Sequence, residues 1–338
     1  MSRDESPQTT PHRHDSLSFP SDLSQVDRDV IRILQVDGRT PIAQVSREIG
    51  ITQKTARKRV QKLVARNVIQ ITTVTDPELL GYRAIALVAV RLDNRRPPAE
   101  VASDLAGIGA VDYVVVTTGR YHLLVEVMCT DLVELAATVE EEIMTVAGVV
   151  DREIFPYLRL QYQEPRFEAA RWKSPDRVGV TPADELDAVD RQILAELNAD
   201  GRIPFQVMAR ELSVSESQIR RRVNRMVNTG TVRILAITNP RSLGLHTIAW
   251  LGLVAAPGVH TEKLAAQIST LLSITYVVVC AGRFDIFAEA ICVDQRDLLA
   301  VLDRQVRELP GVARVEAFVS FDLRYKRVVP SRGGAEAG

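Results

Sequence analysis

The sequence predicts an α+β fold written twice: two tandem units, each a winged helix-turn-helix module followed by a ferredoxin-like βαββαβ domain. Three observations carry that prediction. Shifted by 163 residues, the 338-residue chain aligns with itself without a gap, residues 27–162 onto 190–325, so the problem reduces to one unit repeated. Each unit opens with three helical patterns and a short β stretch. Each then continues through apolar strands and amphipathic helices in the order β-α-β-β-α-β.

The chain accordingly divides into an arm (1–22), a first three-helix module (23–76), a first βαββαβ domain (77–162), a linker (163–186), the second copies of both parts (187–239 and 240–327) and a tail (328–338). Between Asp27 and Pro77, 16 of 51 positions match their partners, enough to fix the frame of the repeat. Within that frame Ser24-x-x-Asp27 and Asp187-x-x-Asp190 read as capped helix starts. Val30, Ile31 and Leu34 then form a helical stripe, as do Ile193, Leu194 and Leu197. Asp37-Gly38-Arg39 and Asp200-Gly201-Arg202 end these helices, with each glycine expected in the left-handed geometry of a helix stop. Pro41 and Pro204 suit the first turn of a second helix ending near Gly50 and Ser213. Thr52 and Ser215 cap a third, running to about Asn67 and Gly230. Short β stretches over 69–73 and 232–237 complete a small wing.

The third helix carries the chemistry. Its expected buried face is Ala56, Val60, Leu63 and Val64, and in the second copy Ile219, Val223, Met226 and Val227. Its outward turns hold Lys54, Arg57, Lys58, Arg59, Lys62 and Arg66 with no acid between them. Such a helix lays its N-terminal side chains against base edges in the major groove while its cations neutralise phosphates. The candidate DNA contacts are therefore Thr52, Gln53, Lys54, Thr55, Arg57, Lys58, Arg59 and Lys62. In the second copy they are Ser215, Ser217, Gln218, Arg220, Arg221, Arg222 and Arg225. There Glu216 sits near the helix start, where phosphate is expected, so the first module should bind DNA more strongly. A merely solvated basic helix is the plainer alternative. The net charge of −1 hides +6 over residues 24–71 and +2 over 187–234, so only part of the chain faces a polyanion.

After Asp76-Pro77 and Asn239-Pro240 the pattern changes. Strands are expected at 84–92, 111–117, 123–129 and 149–158, with helices at 97–108 and 131–146. The second copy places strands at 247–254, 274–280, 286–292 and 312–321, with helices at 261–272 and 294–309. Both helices fall on one face of the sheet. The other face is apolar and needs a cover, most simply the sheet of the other unit. Between the middle strands lie two polar turns, Thr117-Thr118-Gly119-Arg120-Tyr121-His122 and Cys280-Ala281-Gly282-Arg283-Phe284-Asp285. A free amino acid requires a carboxylate for its ammonium and a cation or N–H donors for its carboxylate; Asp285, Arg283 and the amides beside Gly282 can supply both. A tight hairpin with a solvated arginine is the alternative.

Other classes are bounded by composition. No apolar run reaches the roughly 18 residues of a membrane span, and residues 1–20 are too polar for a signal peptide. Three cysteines form neither a disulfide framework nor a CxxC pair, and five histidines show no metal-ligand spacing. The expectation is a cytoplasmic protein with no metal or cofactor and no membrane partner.

Asp27-Arg28-x-x-Ile31-x-x-Leu34 with Asp37-Gly38-Arg39, the long basic helix, the Leu80-Gly81-Tyr82 joint and the Gly119-Arg120-Tyr121 turn together resemble the Lrp/AsnC (feast/famine) family of transcription regulators. Asp190-Arg191-x-x-Leu194-x-x-Leu197, Asn239-Pro240 and Leu243-Gly244 repeat the resemblance. It covers residues 24–327 and implies a DNA-binding module joined to a sensing domain for a small effector, usually an amino acid, with self-association through the sensing domains. The effector positions it implies are Gly119, Arg120, Tyr121, His122, Gly282, Arg283, Phe284 and Asp285, with His122 standing where the second copy has an acid. Two other readings share the architecture. Sirohaem decarboxylases are similar and also occur as fused pairs, but carry a His-Asn-Tyr-x-Arg type signature absent from Asp112-Tyr113-Val114-Val115-Val116 and from Thr275-Tyr276-Val277. The other is a ligand-sensing scaffold that does not bind DNA. The linker of 24 residues reaches at most about 80 Å, against about 34 Å between half-sites one helical turn apart. Pairing within one chain and pairing between chains are both open to it.

Overall fold

In each unit the first helix is started by a reciprocal cap. In the computed structural model, which describes residues 23–75, 77–163, 186–238 and 240–325, α1 spans Gln25–Val36 and α6 spans Ala188–Ala199. The side chains of Ser24 and Asp187 accept the amides of Asp27 and Asp190, whose carboxylates reach back to the cap backbone. The expected arm, Asp76, Asn239, almost all of the linker and the tail lie outside the described residues. The second helices, α2 (Ile42–Ile49) and α7 (Phe205–Glu211), and the third, α3 (Gln53–Ala65) and α8 (Glu216–Asn228), complete the modules. Val64 and Val227, expected in the buried stripe, are 41% and 43% exposed. Each sits at the edge of its stripe, one position beyond Leu63 and Met226, which do the burying.

The two modules are one body. A single short strand follows each third helix, β1 (Ile69–Thr75) and β6 (Val232–Thr238). The two pair antiparallel with each other, Thr72 opposite Leu235. The wing is thus a ribbon shared between copies, because a lone strand leaves its backbone groups unpaired. One core runs through both modules, joining Val30, Leu34 and Leu63 to Ile193, Leu197 and Ile219.

The Asp-Gly-Arg motifs clasp this body together, and here the structure corrects the sequence reading. Helix α1 ends with Asp37 extended, and neither Gly38 nor Gly201 has a positive φ. Each glycine is instead a point of close backbone approach. The Gly38 amide donates to Ile234 O at 2.7 Å, and the Gly201 amide to Ile71 O at 2.9 Å. A Cβ on Gly38 would lie 2.9 Å from Leu235 Cα, and one on Gly201 3.0 Å from the Ile71 carbonyl carbon. The adjoining arginines cross in the same way. Arg39 donates to Gly201 O and Ile203 O and lies 4.3 Å over the Phe205 ring. Arg202 donates to Gly38 O and Thr40 O, both at 2.6 Å.

A one-turn 3₁₀ helix, Pro77–Leu80 or Pro240–Leu243, leads into each βαββαβ domain. The first comprises β2 (Ala84–Leu92), α4 (Pro98–Leu105), β3 (Val111–Thr117), β4 (Leu123–Cys129), α5 (Leu132–Ala137) and β5 (Val149–Gln163). The second comprises β7 (Thr247–Ala255), α9 (Thr261–Ile268), β8 (Ile274–Cys280), β9 (Ile286–Cys292), α10 (Gln295–Val301) and β10 (Val312–Tyr325). Both second helices loosen into a π-turn, Thr138–Ile143 and Leu302–Val306. The strand orders β3-β4-β2-β5 and β8-β9-β7-β10 are ferredoxin-like.

The final strands are longer than their own sheets require. At 15 and 14 residues, β5 and β10 run on to pair with β8 and β3 of the other unit. The two sheets thereby close into one eight-stranded barrel, and closure removes the free edges. The apolar face is covered by the other unit's sheet, as expected, and the covering is sealed at both seams. Tyr113, Tyr121, Phe155, Trp250, Tyr276, Phe284, Phe287 and Phe318 fill the interior, while the helices pack outside on two separate cores.

The Glu126 carboxyl is buried in the interior. Glu126 Oε1 accepts the hydroxyls of Tyr157 at 2.7 Å and Tyr276 at 2.8 Å. Burial first, and then the charge of Asp112, push it up to about 8, against the pull of the two hydroxyls. Because Tyr157 lies on β5 and Tyr276 on β8, this cluster bridges the seam between units.

Candidate functional site

Helix α3 is presented by its cap and held by a buried ion pair. Thr52 accepts the Thr55 amide, and the two hydroxyls also meet at 2.9 Å. Behind the helix Arg59 reaches buried Asp27, 3.3 Å away. Arg59 therefore fastens α3 to α1, and its guanidinium is committed inside the module. Gln53, Lys54, Arg57, Lys58 and Lys62 are exposed, on a helix without an acidic residue.

The second helix differs in what its cations touch. Arg222 pairs with Asp187 and Asp190, at 2.7 and 2.9 Å, and Arg225 also binds Asp190. Arg220 pairs with Glu216 at 2.6 Å and lies 5.2 Å over Phe205. Gln218 closes a capping box with Ser215, whose hydroxyl also meets Ser217. Arg221 is exposed. Three of the four cationic positions named on α8 thus face acidic partners inside their own module, against one of five on α3. The spacing reveals the stripe; the partners on α1 and α6 are visible only in three dimensions.

The sensing-domain turns cross the barrel. Arg120 meets Glu316 of β10 at 3.4 Å, and Arg283 meets Glu153 of β5 at 3.1 Å. These contacts are images of each other under the 163-residue shift, so each turn reaches the last strand of the other unit. Gly119 and Gly282 take φ of 92° and 132°, open to glycine. His122 Nδ1 accepts the Leu92 amide at 2.9 Å, and Asp285 Oδ2 accepts the Ala255 amide at 2.8 Å. Those too are repeat partners: imidazole and carboxylate finish the same strand end. Asp285 is therefore held by the fold, where the sequence reading gave it a ligand's ammonium. Phe284 is fully buried among the barrel aromatics.

A cleft of about 220 Å³ opens beside the first turn. Arg120 and Tyr121 of that turn line it together with Arg283 of the second and with Arg91, Asp151, Arg152 and Glu153 of β2 and β5. Glu153 is its hub, accepting from Arg283 and from the Tyr121 hydroxyl. Arg91 pairs with Asp151, and Arg152 with Glu140. Reasoning confined to the turns misses the strand residues. The retention of Glu153 as Glu316 in the second copy is the signal that could have led to them. Among the described residues no group of three His, Cys, Asp or Glu side chains is placed to hold a metal, and no helix is long and apolar enough to cross a membrane.

Comparison with known proteins identifies both parts of each unit. A model of the AsnC-type helix-turn-helix domain matches residues 23–64 and 186–227, and one of the Lrp/AsnC ligand binding domain matches 83–166 and 251–331. An HTH-type transcriptional regulator of Pyrococcus horikoshii is 31% identical over 146 residues, 43% of this chain and 89% of that protein. The HTH-type transcriptional regulator FL11 of the same organism is 35% identical over 114 residues, 33% of this chain and 75% of its own. Among solved structures the siroheme decarboxylase NirDL has a TM-score of 0.62 over 90% of this chain and 94% of its own, at 17% identity; that likeness is one of fold.

Proposed function

The chain belongs to the Lrp/AsnC family of transcription regulators, and we propose that it binds a specific operator through α3 and α8 in response to an amino acid. The observation that carries this reading is the exposed, acid-free cationic face of α3 on a body that fixes it relative to α8. Thr52, Gln53, Lys54 and Thr55 at the start of α3 face base edges, and Arg57, Lys58 and Lys62 bind phosphates. On α8 the corresponding contacts are Ser217, Gln218, Arg220 and Arg221, with Arg221 least committed to internal partners. Module one is the stronger reader.

The effector site is the cleft at the two crossing turns, where cations and carboxylates from both units meet. Binding there favours one packing of the turns on β5 and β10, and the shift reaches the reading helices through the joints at Pro77–Leu80 and Pro240–Leu243. It requires a difference in effector affinity between the two packings. We assign the pairing of sensing domains to the barrel within one chain, so DNA binding needs no second copy, and sedimentation with and without DNA measures this. The work of the protein is cytoplasmic regulation without a catalytic step; the decarboxylase likeness is of fold, and mixing with sirohaem should leave the Soret band of the free compound unchanged.

Fluorescence anisotropy on DNA from upstream of the protein's own gene tests the central claim. A scrambled duplex and a salt titration run beside it. Specific binding that weakens steeply with salt supports the regulator. Equal binding to both duplexes, with and without pooled amino acids, moves support to the non-DNA-binding scaffold.

A further inference from the structure

The repeat brings the same backbone to two places on the barrel, but the side chains that line them have diverged. Around the first turn stand Arg91, Asp151 and Arg152, with the Tyr121 hydroxyl on Glu153. Under the 163-residue shift those positions become Val254, Arg314, Val315 and Phe284. Of the charged cleft, the second place retains only the crossing pair Arg120–Glu316, with Arg283 on its own turn. Ala89 becomes Gly252, where an added Cβ would stand 2.8 Å from the Phe284 ring. The Arg314 guanidinium lies 5.7 Å from the centroid of that ring. Phe284 thus packs against Gly252 and Arg314, at the point where Tyr121 brings a hydroxyl to Glu153 beside the cleft.

Resting on the effector reading above, we infer that the fused chain keeps one working effector site, the cleft lined by Arg91, Arg120, Tyr121, Arg152, Glu153 and Arg283, and that its ligand is a small acidic amino acid. Three steps lead to that class. The lining holds four guanidiniums and two carboxylates, and Glu140 and Glu316 just outside it pair with Arg152 and Arg120, so what the cleft offers a ligand is the unspent donors of four guanidiniums. Each guanidinium carries five donors in a planar fork. The ion pairs described use only part of each fork, and Arg120 and Arg283 engage their acids through Nε. The rest of the fork suits bidentate recognition of a carboxylate. Glu153 and Asp151 supply the negative side for an ammonium. A ligand with two carboxylates engages two sets of these donors, whereas an apolar amino acid brings one carboxylate and a basic one brings a second cation beside the arginines.

Calorimetric titration of the full-length protein with L-glutamate, L-aspartate, L-leucine and L-lysine tests this. The expected result is one equivalent of glutamate or aspartate per chain, with leucine and lysine at least tenfold weaker. Arg91→Ala and Arg152→Ala should each weaken the acidic ligand at least tenfold. Tyr121→Phe, which copies Phe284 and conserves the ring packing, should weaken it without changing the melting temperature. Arg314→Ala, at the second place, should leave affinity unchanged. Two equivalents per chain, an equal loss in Arg314→Ala, tighter binding of leucine or lysine, or no binding of any of the four would overturn the inference. Anisotropy on the upstream duplex with the same samples separates the failures. Specific DNA binding by ligand-free protein with none of the four bound refutes this site and leaves the regulator standing, whereas failure to bind DNA specifically strikes the regulator itself.

Discussion

Glu126→Gln should make the protein more stable, and by an amount that depends on pH. The carboxyl is 1% exposed. Its Oε1 takes both tyrosine hydroxyls, and its hydrogen bond with Asp112 raises its affinity for a proton. In the folded barrel it titrates at about 8, against a reference of 4.5. A group whose folded value is raised contributes fully below the unfolded value, and that contribution is lost as pH rises toward the folded one. At ~1.4 kcal/mol per unit, the loss between pH 4.5 and 7 is about 3 kcal/mol. Glutamine retains the shape, accepts from Tyr157 and Tyr276, donates to Asp112 and does not titrate. The variant should therefore exceed the parent by about 3 kcal/mol at pH 7 and by less than about 1 kcal/mol at pH 5. Urea unfolding at constant ionic strength from pH 5 to 8 measures this. Tryptophan fluorescence is a suitable probe, because Trp250 packs against Tyr276 with ring centroids 5.6 Å apart. A difference that does not change with pH, or a variant weaker than the parent at pH 7, refutes the assignment of a neutral buried acid.

Gly38→Ala should cost about 1–3 kcal/mol through overpacking against Leu235 and should lower the melting temperature of the reading modules, as should Gly201→Ala. Replacing Arg57 and Lys58 together by alanine should reduce the slope of log affinity against log salt by about 1.8, at ~0.9 per phosphate, with no change in melting temperature. Arg59→Ala should instead lower the melting temperature, because buried Asp27 loses its cation, at a cost of about 1–3 kcal/mol. The thiols of Cys129, Cys280 and Cys292 are buried and pushed up to about 11, 12 and 12, burial being the first cause. Native protein at pH 8 should therefore resist iodoacetamide over hours, and mass spectrometry should find all three labelled in urea.

What was legible in the sequence was whatever a residue does within its own element. The caps at Ser24 and Asp187, the apolar stripes, the strand order and the need for a cover over the sheets are all local patterns, and each appears in the fold. What was not legible was contact between units. Gly38 read as a helix stop because that is what glycine does at a helix end; the Ile234 carbonyl and Leu235 backbone that demand it lie about 200 residues away in the chain. The same distance hid the role of Arg59. A basic stripe shows which residues face outward together, but the buried acid that claims one of them stands on another helix. Asp285 looked like a ligand's partner by charge alone; that its Oδ2 also takes the Ala255 amide, 30 residues back, was not visible. The cleft was half hidden for a related reason, since Arg91 and Asp151 lie on strands that give no sign of meeting the turns.

Fusion explains why the two halves differ at the places that matter for function. Two identical chains pairing about a two-fold axis must present the same residues at both seams and both clefts. A substitution that filled one site would fill its twin. In a single chain each copy mutates alone. Here the clasp that joins the modules has stayed symmetrical, with Arg39 and Arg202 making reciprocal backbone contacts, because either half is needed to close it. The functional surfaces have not. The α3 cations are mostly free, whereas those of α8 are mostly paired. Tyr121 lines a cleft with its hydroxyl on Glu153, whereas Phe284 has no hydroxyl and packs on Gly252. The symmetry retained is therefore that of the clasp, while the asymmetry gathers at the third helices and at the turns between the middle strands.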